Sequence, residues 1–91
     1  MRRDAKVDQN QREIIDALRQ MGASVYPLHF AGKGWTDLLC GFRGHNYLIE
    51  IKTQKGKLSA DQRTFHQSWR GQVAVVRTAR EAVDAMRGLG S

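Results

Sequence analysis

The sequence has little of what disulfide-stabilised or zinc-binding domains require. Its 91 residues include a single cysteine, Cys40, and a single proline, Pro27. One cysteine cannot form an intramolecular disulfide and cannot supply a cysteine-based zinc site. An ordinary apolar core must therefore stabilise the domain, and a cytoplasmic location is expected.

Long hydrophobic runs are also missing. No stretch approaches the roughly 20 apolar residues of a membrane-spanning helix. The charged start, Met1 to Lys6, is not followed by an apolar stretch, so no signal peptide is expected. The length, the absence of repeats and linkers, and a hydrophobic content of 41% predict a single globular domain over residues 1–91.

Acidic residues are scarce relative to basic ones. The chain has 15 Lys and Arg against 9 Asp and Glu, which gives a formal net charge of +6 at pH 7. A small domain with this charge commonly contacts a polyanion, so nucleic acid is the expected partner. The alternative is a soluble surface that is simply basic, and charge alone does not indicate any chemistry.

Hydrophobic spacing and turn residues predict seven elements in the order α-β-β-β-α-β-α. The helices are expected over residues 9–21, 59–70 and from 78 or 79 to 89. The strands are expected over residues 24–30, 36–42, 46–52 and 73–77. Asp8 is the expected N-cap of the first helix. This order predicts an α/β (α+β) fold with a mixed central sheet flanked by helices.

The predicted third strand carries two charges on one face. Because side chains alternate along a strand, Leu48, Glu50 and Lys52 share one face. The other face is apolar and contains Tyr47, Ile49 and Ile51. Opposite charges two residues apart are unusual in so small a core. They indicate either a chemical site or a half-exposed strand with a surface ion pair.

Asp37 stands at the start of the preceding strand, after the loop 32–34. If these strands pair as a hairpin, Asp37 lies near Glu50 and Lys52. Two carboxylates form an oxygen-rich site for Mg²⁺ or Mn²⁺, to which the Ile51 backbone carbonyl could add a third ligand. A neighbouring lysine can orient the attacking water or stabilise developing negative charge. Alternatively, Asp37 only caps a turn.

The series Asp37, then Glu50-Ile51-Lys52, resembles the PD-(D/E)XK nuclease superfamily. The downstream residues Gly56-Lys57-Leu58-Ser59, followed by Gln62, are similar to its VRR-NUC (virus-type replication-repair nuclease) branch. That branch has a Glu-x-Lys strand, a Gly-x-Leu-Ser loop and a helix that bears a glutamine. The resemblance covers roughly residues 11–77.

The resemblance implies a restriction-endonuclease-like core that hydrolyses phosphodiester bonds with Mg²⁺ or Mn²⁺. Asp37 and Glu50 would hold the ion and Lys52 would assist the water. Glu13 resembles an additional acidic ligand that this branch supplies from its first helix, although it could be an ordinary exposed carboxylate. One departure is Thr36, which stands where the branch often has proline, and it leaves the shape of the loop before Asp37 open.

Gln62 has two possible roles. Ser59 and Gln62 have the spacing of a capping box, in which Gln62 satisfies backbone groups at the start of the second helix. The resemblance instead places Gln62 beside the active site, where it could hold Lys52, a water or a phosphate, and the two roles can coexist. His66 lies on the same helical face and is expected either to line the cleft or to be a partly buried structural histidine.

Four basic residues are expected in loops near the site, as DNA phosphate contacts or as solubility charges: Lys33, Arg43, Lys55 and Lys57.

Short members of the branch resemble junction-resolving enzymes of phage and bacteria. This implies an endonuclease for branched DNA such as Holliday junctions, acting in DNA repair in a bacterial or phage-infected cell. The alternatives are a nuclease for flaps, nicks or linear duplex, and a catalytically idle DNA-binding module.

A homodimer is expected, because a four-way junction needs two symmetric cuts and the chain has one proposed site. The last helix, or the first, is the expected interface. The apolar residues of the last helix could instead only cover the sheet.

Overall fold

The fold contains the seven predicted elements in the predicted order. The computed structural model describes residues 5–28, 31–32 and 34–88. The helices are α1 (Ala5–Gln20), α2 (Ala60–Ser68) and α3 (Ala79–Met86). The strands are β1 (Ser24–Pro27), β2 (Leu38–Phe42), β3 (His45–Ile51) and β4 (Gln72–Val76). None of the described helices is both long enough and apolar enough to cross a membrane.

The four strands form one mixed sheet in the order β1-β2-β3-β4. The β1/β2 and β2/β3 pairs are antiparallel and the β3/β4 pair is parallel. A two-residue turn connects β2 to β3, and both of its residues, Arg43 and Gly44, have positive φ angles (52° and 82°), as a tight hairpin turn requires. The register pairs Leu38 with Ile49. It therefore brings the residue before β2, Asp37, next to the end of β3.

One face of the sheet is covered by α1 and α3, which also pack against each other. The buried apolar residues form one cluster: Ile14, Leu18, Ala23, Val25, Leu38, Cys40, Ile49, Ile51, Val76, Ala82 and Met86. The apolar stripe of α3 is thus buried inside the monomer through Ala82 and Met86. The described part of α3 therefore covers its own fold, and Leu89, which was also considered for a dimer interface, lies outside the described residues.

The other face of the sheet carries α2, which buries no residue completely. The helix is held there partly by aromatic packing. The ring of Phe65 lies 4.9 Å from Trp35 and 5.4 Å from Trp69, measured between ring centroids. Trp69 remains 39% exposed and lies just beyond the end of this short helix.

Several predicted boundaries differ from the structure, and those at the start of α1 and the end of β1 are among the largest differences. Helix α1 begins at Ala5, so Asp8 lies within the helix and is not its N-cap. Residues 5–7 contain no helix breaker that would prevent this extension. Strand β1 ends at Pro27, although the N–H of the next residue, Leu28, still donates to the Asp37 carbonyl. Residues 29–30 of the predicted strand lie outside the described part of the chain.

Candidate active site

A cleft of about 320 Å³ opens at the carboxyl end of β3. The residues that line it are Asn10, Asp37, Glu50, Ile51, Lys52, Thr53, Gly56 and Gln62. Asp37, Glu50 and Lys52 therefore share one cleft, although Asp37 and Glu50 lie 13 positions apart in the sequence. The hairpin register brings the three side chains together, since it pairs the start of β2 with the end of β3.

Asp37 is fixed by three hydrogen bonds. Its carboxylate Oδ2 accepts a hydrogen bond from the backbone N–H of Ile51 at 2.7 Å. Its own N–H donates to the carbonyl of Ile49 at 3.0 Å, and its carbonyl accepts from the N–H of Leu28 at 2.8 Å. These bonds continue the strand pairing past the end of β2. Asp37 is thus not a freely rotating turn residue, and its carboxylate is held against the end of β3.

Glu50 is buried, with 2% of its surface exposed. Its Oε2 accepts a hydrogen bond from Gln62 Nε2 at 3.1 Å, whereas its Oε1 is buried and has no hydrogen-bond partner among the described residues. The pKa of Glu50 is raised to about 8, mainly by burial and then by hydrogen bonding with and repulsion from the adjacent Asp37 carboxyl, while the charge of Lys52 opposes the rise. The protein therefore supplies too little positive charge and too few hydrogen bonds to stabilise the ionised form of this carboxyl group.

A hard divalent cation fits this environment. Among the described residues, no group of three or more His, Cys, Asp or Glu side chains is arranged to hold a metal ion. Mg²⁺, however, commonly uses only one or two carboxylates and completes its coordination with water and substrate phosphate. Asp37 and Glu50 supply two carboxylates, and Ile51 lines the same cleft. A cation would also compensate the unpartnered Oε1 and the repulsion that raises the pKa of Glu50.

Gln62 combines both of the roles considered for it. The capping box is present, because the Ser59 N–H donates to Gln62 Oε1 at 2.9 Å and the Gln62 N–H donates to Ser59 Oγ at 3.1 Å. The remaining amide nitrogen of the same side chain donates to Glu50. Gln62 thus fixes the start of α2 and one oxygen of the buried carboxyl group, and its partner in the cleft is Glu50 rather than Lys52.

The structure does not place Glu13 among the residues that line the cleft. Its side chain is exposed and accepts a hydrogen bond from Gln9 Nε2 at 3.3 Å. The residue of α1 that does line the cleft is Asn10, one helical turn earlier. Sequence reasoning missed Asn10, because an amide without a nearby charge has no distinctive pattern on a helix.

The basic residues considered as phosphate contacts occupy different places. Lys55 and Lys57 are exposed in the loop after β3, whose Thr53 and Gly56 line the cleft. Arg43 was expected near the site, but it forms the tip of the β2/β3 turn at the opposite end of β3, about 17 Å away at ~3.4 Å per strand residue. Its guanidinium lies 5.0 Å from the centroid of the Phe42 ring. Lys33 lies outside the described residues.

The loop before Asp37 has no proline at the position where the resemblance led us to consider one. Thr36 occupies that position and is 2% exposed. Gly34 has a φ of 82°, and a Cβ at this position would lie 3.2 Å from the backbone oxygen of Asp61. Glycine therefore permits both the left-handed conformation and the close approach of this loop to the start of α2.

Arg77, which sequence reasoning also missed, fixes the basic loop beside the cleft. Its Nη1 donates to the backbone carbonyls of Thr53 and Gly56, the second at 2.8 Å. The backbone of Arg77 is fixed in turn, because its carbonyl accepts from Asn10 Nδ2 at 3.2 Å and its N–H donates to Glu81 Oε1 at 2.7 Å. No local sequence signal marks Arg77, which directly follows β4.

Replacing Arg77 by alanine should destabilise the protein and loosen this loop. The variant removes the donor to two loop carbonyls, one of them in a partly buried bond, which should lower the free energy of unfolding by about 1–3 kcal/mol. Urea denaturation measures this loss. Arg80→Ala is the matched control, since the Arg80 side chain is 85% exposed and forms a surface ion pair with Asp84 in the next turn of α3. Equal stability of the two variants would contradict the role assigned to Arg77.

The mixed four-stranded sheet, the element order and the position of the cleft define a restriction-endonuclease-like core. A solved structure described as a "VRR_NUC domain" superposes on the chain with a TM-score of 0.79 at 23% sequence identity, and the match covers 94% of this chain and 99% of that chain. The fold of the chain is thus that of a VRR-NUC domain, as the sequence resemblance predicted. No protein-family profile and no curated protein matches the sequence.

Proposed function

We propose that this protein is a divalent-metal-dependent endodeoxyribonuclease that hydrolyses phosphodiester bonds. The observation that carries the proposal is the shared cleft of Asp37, Glu50 and Lys52, in which the buried Glu50 carboxyl lacks compensation for a negative charge. A structural ion pair would not explain this arrangement, since one lysine leaves an excess negative charge once both carboxyl groups are ionised. A bound cation and a phosphate group together would balance it.

In this proposal each residue of the cleft has a separate role. Asp37, Glu50 and the Ile51 carbonyl would hold Mg²⁺ or Mn²⁺, which when bound supplies Lewis-acid activation of water and charge neutralisation at the phosphate. Lys52 assists the attacking water or stabilises the negative charge that develops on the phosphate. Gln62 keeps the Glu50 carboxylate in place from α2. Glu13 as a further ligand stays a prediction.

The proposed substrate is branched DNA, such as a Holliday junction, and the proposed setting is DNA repair inside a cell. The net charge of +6 favours a polyanion, and Lys55 and Lys57 stand beside the cleft as candidate phosphate contacts. Flaps, nicks and linear duplex are the alternative substrates, and an idle DNA-binding module is the alternative of another class. The retained cleft chemistry favours a nuclease over the idle module.

We further propose a homodimer, because two symmetric cuts on a junction need two sites. Since α1 and α3 bury their apolar faces within the monomer, the proposed interface is the apolar surface on the side of the sheet that carries α2. Its exposed residues are Tyr26, Trp35, Leu39 and Trp69.

A substrate panel tests this function. The protein is incubated with a four-way junction, a flap, a nicked duplex and a linear duplex of matched sequence, with Mg²⁺, with Mn²⁺ or with a chelator, and light scattering gives its oligomeric state. We expect a dimer that cuts the junction only with metal and at least about tenfold faster than the linear duplex. A monomer that cuts the linear duplex equally well would leave a general nuclease. Binding without any cleavage in either metal would indicate the idle module.

A further inference from the structure

Two buried polar atoms near the cleft lie close together and have no hydrogen-bond partner among the described residues. They are Glu50 Oε1 and His66 Nε2, which lie 3.9 Å apart. The side chains of these residues are 3% and 12% exposed, respectively. Buried polar atoms in folded proteins nearly always have a partner, so each of these unpartnered atoms needs an explanation.

The separation is too long for a hydrogen bond, which would need about 2.7–3.2 Å between nitrogen and oxygen. Closing the gap requires a movement of roughly 1 Å, which a change in side-chain torsion angles can supply. Both atoms are shielded from solvent, so bulk water cannot serve as the missing partner. The two atoms can therefore serve as partners for each other.

The position of His66 on α2 supports this pairing. His66 follows Gln62 by four residues, so the two side chains project from the same face of the helix. Gln62 already donates to Glu50 Oε2. His66 is not among the residues that line the cleft.

The imidazole has the chemistry that a donor in this place needs. A neutral imidazole can carry its proton on Nε2 and donate from there. Each carboxylate oxygen has two lone pairs, so an oxygen that accepts from the protein can still bind a cation.

We propose that His66 is a positioning residue, whose Nε2–H donates to Glu50 Oε1 once a divalent cation occupies the cleft. With Gln62 on Oε2, α2 then holds both oxygens of the carboxylate and fixes the direction in which it presents its lone pairs. Hydrogen bonds of this kind to metal-binding side chains commonly change metal affinity by about 10–100-fold. The inference rests on the proposed function, because it requires Glu50 to bind the cation.

Two substitutions of His66 separate hydrogen bonding from packing. His66→Leu keeps an apolar volume without a donor, whereas His66→Gln places an amide nitrogen near the position of Nε2. Calorimetric titration of the DNA-free protein with Mn²⁺ gives metal affinity, and cleavage at saturating Mn²⁺ gives kcat and KM. His45→Leu is the control, since His45 is exposed at the opposite end of β3.

We expect His66→Leu to weaken Mn²⁺ binding about tenfold or more and to lower kcat with KM for DNA unchanged. His66→Gln should recover affinity to within about threefold of the wild type. Wild-type affinity in His66→Leu, or equal defects in both variants, would overturn the positioning role while leaving the nuclease function intact. A wild-type protein that neither binds Mn²⁺ nor cuts DNA would overturn the inference and the proposed function together.

Discussion

Lys52→Ala and Glu50→Gln should each lower cleavage of DNA by about 10²–10⁴-fold while the protein stays folded. Lys52 directly follows β3, and its side chain contributes to the cleft and not to the apolar core. Glu50→Gln keeps the shape of the side chain and its contact with Gln62, but it removes the charge that would bind a cation. Single-turnover cleavage at saturating protein measures the chemical step separately from DNA binding.

The interpretation depends on unchanged DNA affinity and unchanged secondary structure in these variants. Circular dichroism checks the fold, and binding to DNA in the presence of Ca²⁺ checks affinity. Arg80→Ala serves as the control for the loss of one positive charge, because Arg80 is exposed on α3, away from the residues that line the cleft. If Lys52→Ala cut DNA at close to the wild-type rate, the mechanism proposed for the cleft would be wrong.

The metal-free protein should lose stability as the pH rises from about 4.5 to about 8. The Glu50 carboxyl has an ordinary pKa of 4.5, which the unfolded chain should show, whereas burial and the adjacent Asp37 raise its pKa to about 8 in the folded chain. Between these values the folded protein binds more protons than the unfolded one, so unfolding becomes easier as the pH increases. The expected loss is on the order of 5 kcal/mol in the free energy of unfolding, since the pKa difference between 4.5 and about 8 contributes about 1.4 kcal/mol per pKa unit.

The variant Glu50→Gln isolates this effect from every other titrating group. Its stability should equal that of the wild type near pH 4.5 and exceed it increasingly toward pH 8, as measured by urea denaturation in the presence of a chelator. Saturating Mn²⁺ should reduce the difference, because an ion that binds the charged carboxylate stabilises the folded wild type. Parallel pH profiles for the two proteins would show that Glu50 ionises normally in the folded state.

These two expectations have the same physical origin. A carboxyl group that is buried beside a second carboxyl destabilises the fold when it is charged, and that unfavourable charge is what makes the cleft suited to a cation. Glutamine at position 50 would improve stability and remove activity. The identity of Glu50 is therefore better explained by function than by folding.

The sequence alone predicted most of the fold and the centre of the site, since both depend on short-range patterns. Apolar spacing near 3.6 or 2 residues identified the helices and strands, and the alternation along β3 separated the apolar face from that of Glu50. The element order and the hairpin signal were then enough to bring Asp37 beside Glu50. The ends of the helices and strands were predicted less accurately, as the early start of α1 shows, because local helix and strand propensity changes gradually along the sequence.

Only the tertiary structure decided which other residues lie near Asp37, Glu50 and Lys52 and which do not. The contact of Arg77 with Thr53 joins residues 24 positions apart, and its existence depends on how β4 and the loop after β3 pack. The distance of Arg43 from the cleft follows from the direction of β3, and the meeting of His66 with Glu50 follows from how α2 lies on the sheet. Sequence patterns report which face of an element is apolar, but the partners of a polar side chain depend on register and packing between distant segments.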